Sequence, residues 1–229
     1  MFRTKICGVT RIEDAIAVAE AGADAIGLNF YRRSSRCVSL THAGELAGAV
    51  RGGPIVVGVF VNAAAEAIAR AIEAAGLDMV QLHGDEPPEL AAELPVGTPI
   101  LRAIRRDPPS GLQPGVAWME ASAAAGRPIA GLLVDAAAPA GPGGETVYGG
   151  TGQTTDWASV AVERAALGPV PLLLAGGLTP MNVAEAIART GADGVDTASG
   201  VESAPGLKDP GLVRDFVARS HAAIGQRPA

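Results

Sequence analysis

A chain of 229 residues is long for one ordinary domain but suits a single α/β barrel, and it can bury a full core. Its net charge of −6 argues against the basic stripe that a nucleic-acid binder needs. No apolar run approaches the ~18 residues of a membrane span. The two cysteines, Cys7 and Cys37, form no disulfide framework, and two thiols without a histidine cluster are not a zinc site. A reducing, cytoplasmic setting is the simpler expectation, and the N-terminus lacks the apolar stretch of a signal peptide.

Apolar or β-branched runs of strand length recur along the chain. They fall at 4–9 (TKICGV), 25–30 (AIGLNF), 54–61 (PIVVGVFV), 79–83 (MVQLH), 99–104 (PILRAI), 131–136 (GLLVDA), 171–177 (PLLLAGG) and 194–199 (GVDTAS). Between them lie Ala/Glu-rich segments with helical spacing: EDAIAVAEAGA, AGELAGAV, AAEAIARAIEAAG, PELAAEL, GVAWMEASAAAG, WASVAVERAAL and MNVAEAIARTGA, with DPGLVRDFVARSHAA last. Thr10 to Glu13 reads as a capping box, and Thr179-Pro180 and Asp209-Pro210 read as N-caps followed by proline at the first helical position. Eight β/α units without a linker predict one α/β domain over 1–229, a closed parallel (β/α)8 TIM barrel. The alternative is an open doubly wound sheet, but its G-x-G-x-x-G turn is missing after the first strand. The Pro/Gly-rich stretch 137–154 is the one long loop, and loops of that length are usually functional or mobile.

Active sites of such barrels lie at the C-terminal strand ends, and polar residues collect there. Lys5 and Cys7 share one face of the first strand, and Gln81 and His83 share one face of the fourth. Asn29, Arg102, Asp135 and Asp196 lie in or at the ends of the second, fifth, sixth and eighth strands. Buried polar groups are costly unless paired, so this many near one rim favours a site. Individually, Asp135 and Asp196 could cap loops, and His83 could be a satisfied core histidine. After the seventh strand comes AGGLTP and after the eighth TASGVE. Their glycines leave backbone N–H groups open at helix starts, where phosphate dianions bind. Cys7 has two readings. As a packed thiol it is a small apolar residue. As a thiolate, with its pKa lowered by Lys5 and the helix after Thr10, it could take a proton from carbon while Asp135 supplies the matching acid. Such a pair over a phosphate-anchored sugar suits an aldose–ketose isomerisation.

The blocks KICGVTRIEDA, GADAIGLNFYRRSSRCVS, VGVFVN, VQLHGDE, LLVDA, YGGTGQTTDW, LLLAGGLTPMNV and GVDTASGVESAPGLKD follow one another over nearly the whole chain. Together they resemble the phosphoribosylanthranilate isomerase family of tryptophan biosynthesis, one of the routes to aromatic amino acids. The resemblance implies a cofactor-free barrel that converts N-(5-phosphoribosyl)anthranilate into 1-(2-carboxyphenylamino)-1-deoxyribulose 5-phosphate by an Amadori rearrangement. It implies Cys7 as general base at C2 of the sugar and Asp135 as general acid at the ring oxygen. It implies Arg36 on the anthranilate carboxylate, His83 and Asp196 as substrate-binding residues, and Gly176, Gly177, Ser199 and Gly200 as the phosphate site. No metal is implied. The implied partner is a small phosphorylated aminosugar, with no nucleic acid or membrane, and the implied enzyme is a monomer or weak homodimer.

The sequence departs from the family pattern in a longer loop after Asp135 and at three residues. Arg32 stands where a proline is common, Cys37 where an aromatic is common, and Thr155 where phenylalanine is common. None touches the base or acid, and Cys37 and Thr155 bear on the lining of the anthranilate pocket. Two competing readings are a sibling isomerase acting on the aminoaldose of histidine biosynthesis, and a phosphate-binding barrel without catalysis. The KICG cysteine disfavours the first, since that sibling uses carboxylates as both acid and base. The Cys7/Asp135 pair disfavours the second.

Overall fold

The structure, a computed structural model, describes residues 1–106, 111–136 and 156–226. The long loop 137–154 and Thr155 lie outside the described residues. Eight strands alternate with helices: β1 (Thr4–Cys7), α1 (Ile12–Glu20), β2 (Ala25–Asn29), α2 (Leu40–Ala49), β3 (Ile55–Phe60), α3 (Ala65–Ala75), β4 (Met79–Leu82) and α4 (Leu90–Glu93). They continue as β5 (Ile100–Arg106), α5 (Gln113–Ala124), β6 (Gly131–Ala136), α6 (Trp157–Glu163), β7 (Leu172–Leu174), α7 (Val183–Thr190), β8 (Gly194–Thr197) and α8 (Pro210–Gly225). Between β8 and α8 lies a small antiparallel hairpin, β9 (Glu202–Ala204) and β10 (Leu207–Lys208).

The eight long-range strands pair in parallel in chain order, and β1 also pairs with β8, which closes the barrel. Both faces of every strand are covered, so the strands read as nearly unbroken apolar runs. Alternation sorts the side chains. Ala25, Val57, Met79, Leu101, Ala103, Leu133 and Leu173 fill the interior above Phe2. Ile6, Ile26, Leu28, Val80, Leu82, Ile104, Leu132 and Val195 face outward into the helices. Helices α3 and α7 end at Gly76 and Gly191, which take the left-handed conformation that favours glycine.

Three expected helix boundaries differ. Thr10 is not the cap of a capping box. Arg11 occupies the N-cap of α1, and the Thr10 hydroxyl donates to the Gly206 carbonyl at 2.6 Å. Thr179 caps a turn ahead of α7, and Asn182 takes the N-cap position. The expected fourth helix is reduced to one turn. Leu94 precedes Pro95, which disfavours helical backbone, and its ψ is 152°. Asp209 does cap α8, accepting from Gly211 N at 2.8 Å and Leu212 N at 2.9 Å ahead of Pro210.

Arg102 leaves the interior. Leu101 and Ala103 point inward, so the intervening Arg102 points out of the barrel. There it meets Glu86 at 2.7 Å and the Gly84 carbonyl at 3.0 Å, with its guanidinium over the Trp118 ring. Glu86 in turn accepts from Asn62 N and Gly84 N, both at 2.8 Å, which locks the loops after β3 and β4 together. Removing one partner of a buried pair strands the other charge, at a cost of about 3–5 kcal/mol. Arg102→Ala should therefore lose roughly 3 kcal/mol in urea unfolding with an unchanged slope. A loss below about 1 kcal/mol would show that the Glu86 carboxylate reaches water in the variant.

Candidate active site

The C-terminal strand ends surround one pocket. Cys7, Arg36, His83, Asp135, Gly176, Gly177, Asp196 and Ser199 all line it, together with Asn29, Tyr31 and Ser34. Gly200 does not line it. It lies one residue behind, where a Cβ would come within 1.8 Å of the Leu178 carbonyl oxygen. Its absent side chain lets the turn after β8 press on the turn after β7, and Thr197 Oγ1 adds a hydrogen bond to the same carbonyl at 2.7 Å. Arg102 stands outside the pocket, as its strand parity dictates.

Cys7 is the last residue of β1, and Lys5 is two residues earlier on the same face. Lys5 is fully buried, and its Nζ meets Asp196 Oδ1 at 2.9 Å, directly across the β1–β8 seam. Gly27 on β2 makes room for both side chains. A Cβ there would lie 2.8 Å from the Cys7 sulfur and 3.0 Å from Lys5 Cε. Burial alone would lower the Lys5 pKa, but Asp196 and the Cys7 thiol outweigh it and leave it raised. Cys7 overturns the expectation of a lowered pKa. Burial pushes the thiol up and Asp196 adds to this, and together they outweigh the opposing pull of Lys5 and Lys208.

His83 follows β4, with Gln81 beneath it. The Gln81 amide nitrogen lies 2.8 Å from His83 Nδ1. With that amide donating, the ring carries its proton on Nε2, which is 3.3 Å from Asp135 Oδ2 but not aligned for a hydrogen bond. Asp135 of β6 and His83 after β4 thus face each other at the mouth of the barrel.

Two consecutive glycines, Gly176 and Gly177, have φ of +87° and +60°, which turns the chain sharply after β7. Asn182 braces this turn. Its Nδ2 donates to the Gly177 carbonyl at 3.0 Å, and its Oδ1 accepts from Thr179 N at 2.8 Å. The adjoining Ser199 opens a short 3-10 turn after β8. The arrangement is a glycine-shaped concavity of the kind that receives an anion through backbone N–H groups.

Two charged residues just behind the pocket join those already named. Glu202 and Lys208 sit on β9 and β10, joined to Arg36 and to the Cys7 carbonyl. The Pro205-Gly206 pair was the available signal, because such a dipeptide marks a turn and would place the flanking residues on a hairpin. Among the described residues no group of three or more His, Cys, Asp and Glu is placed to hold a metal ion. No described helix is long and apolar enough to cross a membrane.

A family model described as N-(5'phosphoribosyl)anthranilate isomerase matches residues 4–219. A protein of Myxococcus xanthus called N-(5'-phosphoribosyl)anthranilate isomerase is 47% identical over 215 residues, 94% of each chain. The crystal structure of phosphoribosyl anthranilate isomerase from Thermotoga maritima superposes with a TM-score of 0.84 at 33% identity, over 97% of this chain and all of that one. Another, of a phosphoribosyl anthranilate isomerase in complex with reduced 1-(o-carboxyphenylamino)-1-deoxyribulose 5-phosphate, has a TM-score of 0.80 at 31% identity, again over 97% and 100%.

The raised thiol pKa sets the reactivity of Cys7 in the free protein. In a Cys37→Ser background, the rate of alkylation by iodoacetamide should climb about tenfold per pH unit through neutrality, since only the thiolate reacts. Its midpoint should lie above the ordinary 9.0. A rate already level below pH 8 would contradict the dominance of burial over Lys5.

Proposed function

The chain belongs to the phosphoribosylanthranilate isomerase family, and we infer that its pocket runs that family's reaction with Cys7 as base and Asp135 as acid. The protein is an intramolecular aldose–ketose isomerase of tryptophan biosynthesis. It converts N-(5'-phosphoribosyl)anthranilate into 1-(2-carboxyphenylamino)-1-deoxyribulose 5-phosphate. The observation that carries the assignment of roles is the meeting of a thiol on β1 and a carboxyl on β6 in one pocket whose wall is a glycine-shaped anion cradle.

On this reading the phosphate rests on the N–H groups near Gly177 and Ser199, with Gly176 and Gly200 shaping the two turns. Arg36 receives the anthranilate carboxylate at the other end of the pocket. Held at both ends, the ribose has little freedom left, and this converts binding into orientation. Asp135 gives a proton to the furanose ring oxygen as the C1–O bond breaks, leaving a protonated Schiff base. Cys7 then removes the proton from C2, and the electron pair moves into the enolamine. Return of a proton to C1 and loss of the C2 hydroxyl proton give the ketone, with no net gain or loss of atoms. His83 supports this reading through its place beside Asp135, and Asp196 through its hold on Lys5 beneath the thiol.

The raised pKa of free Cys7 fits this order of events. A thiol that is weakly ionised before ring opening becomes a stronger acid once an iminium cation forms beside it. The thiol then gives its proton to solvent, and the thiolate so formed takes the C2 proton. No metal or cofactor enters these steps. The same reading takes the enzyme as cytoplasmic, and as a monomer or weak homodimer.

General acid–base groups typically contribute ~10²–10⁴-fold. Cys7→Ala and Asp135→Asn should each reduce kcat at least a hundredfold, followed by the loss of substrate fluorescence, with unfolding midpoints close to wild type. A variant of Cys7 that keeps more than about a tenth of wild-type kcat would make the thiol a packing residue.

Arg36→Ala should act mainly on KM. Loss of a charge-assisted bidentate contact is worth about 1.5–3 kcal/mol, or roughly one to two decades. Unchanged KM and kcat would remove Arg36 from the substrate.

A further inference from the structure

The hairpin β9–β10 takes no part in closing the barrel, yet it carries two of the most enclosed charges among the described residues. We propose that Glu202 is a positioning residue for substrate recognition: it fixes which edge of the Arg36 guanidinium faces the pocket. The proposal rests on the reading of Arg36 as the carboxylate-binding residue, and adds what makes it one.

Glu202 has a side chain only 4% exposed, and both its oxygens are engaged. Oε1 accepts from Arg36 Nε at 2.8 Å, and Oε2 accepts from Arg36 Nη2 at 2.6 Å. These contacts use one edge of the guanidinium. Among the described residues the guanidinium has no other hydrogen-bond partner. Nη1 and the second Nη2 hydrogen form the opposite edge, a parallel pair of donors that matches a planar carboxylate. Arg36 lines the pocket, so that edge is the one available to a ligand.

The carboxylate cannot swing away with the arginine. Lys208 Nζ holds Oε1 at 2.8 Å, and its other two contacts go to the Cys7 carbonyl at 2.6 Å and the Ala198 carbonyl at 3.0 Å. All three ammonium hydrogens are thus committed to fixed points, two of them where β1 and β8 end. The arginine stem is confined as well, since a Cβ on Gly8 would lie 2.3 Å from Arg36 Cδ. The charges favour an incoming anion. One carboxylate between two cations leaves a net positive cluster, of which Arg36 lines the pocket. Burial alone would raise the Glu202 pKa, but Arg36 and Lys208 outweigh it and leave the group below its usual range, hence ionised at neutral pH. Without Glu202 the guanidinium would have to be ordered by the substrate itself, and that entropy would come out of binding.

The test compares two probes on Glu202→Gln by calorimetric titration. Reduced 1-(o-carboxyphenylamino)-1-deoxyribulose 5-phosphate carries both the carboxylate and the phosphate, whereas inorganic phosphate reports the glycine cradle alone. The proposal expects the affinity for the first to fall about tenfold, the scale of one misaligned charge-assisted contact, with inorganic phosphate changed less than about twofold. In an Arg36→Ala background, Glu202→Gln should add no further loss. An unchanged affinity for the first probe, an equal fall for both, or an undiminished further loss without Arg36 would each overturn it. If Arg36→Ala alone leaves the affinity for the first probe intact, the reading of Arg36 fails, and that outcome is separate from a failure confined to Glu202. Should Glu202→Gln not fold, Glu202→Asp keeps the charge but is one methylene too short to span Arg36 and Lys208, and the same ratio of affinities decides.

Discussion

A lysine with no exposed surface has to be neutralised, and in this barrel Lys5 is neutralised by Asp196, its register partner across the seam where the last strand meets the first. The 2.9 Å contact lies directly beneath Cys7, which lines the pocket. Desolvating both ions costs several kcal/mol each, and replacing such pairs with apolar residues is often neutral or better for stability. Its place in the structure is therefore better understood through the pocket than through the core. Gly27 gives up a side chain to accommodate it, and Cys7 takes its electrostatic setting from it.

Two further buried ion pairs extend the same pattern outward. The Glu86 and Arg102 side chains meet outside the barrel and hold the turns after β3 and β4, so the chain that presents His83 is anchored from behind. Glu202 and Lys208 hold the turns after β1 and β8, including the carbonyl of Cys7 itself. Loops carry the chemistry of such barrels, and loops are the parts with least structure of their own. Here charge pairs beneath and behind the rim do what regular hydrogen bonding does in the strands. The glycine turn after β7 is secured differently, by the amide of Asn182 and by the close approach that Gly200 permits.

The fold was legible because eight apolar runs alternated with helical spacing, and a parallel sheet of that kind has few ways to protect its edges. Strand parity put Cys7 with Lys5 and His83 with Gln81, position at a strand end singled out Asp135 and Asp196, and the four line one pocket. The same parity, applied to Leu101 and Ala103, would have sent Arg102 outward. Proximity to a strand end is a property it shares with the rim residues, and direction is what separates it from them. The stop of α4 was written in Leu94-Pro95, and the hairpin in Pro205-Gly206. The ionisation of Cys7 was not legible. Lys5 two residues away suggested a lowered pKa, but a neighbour's charge acts only after its own partner and the local burial are known, and Asp196 is distant in sequence.

The central claim is a division of labour, in which Asp135 opens the ring and Cys7 acts only afterwards. Trapping with cyanoborohydride during a single turnover separates the two steps, because the reagent reduces the open-chain iminium and leaves the closed ring untouched. The account predicts that Cys7→Ala yields the reduced open-chain amine well above the enzyme-free background, while Asp135→Asn yields no more than background. Equal trapping by the two variants, or trapping by Asp135→Asn alone, would contradict it.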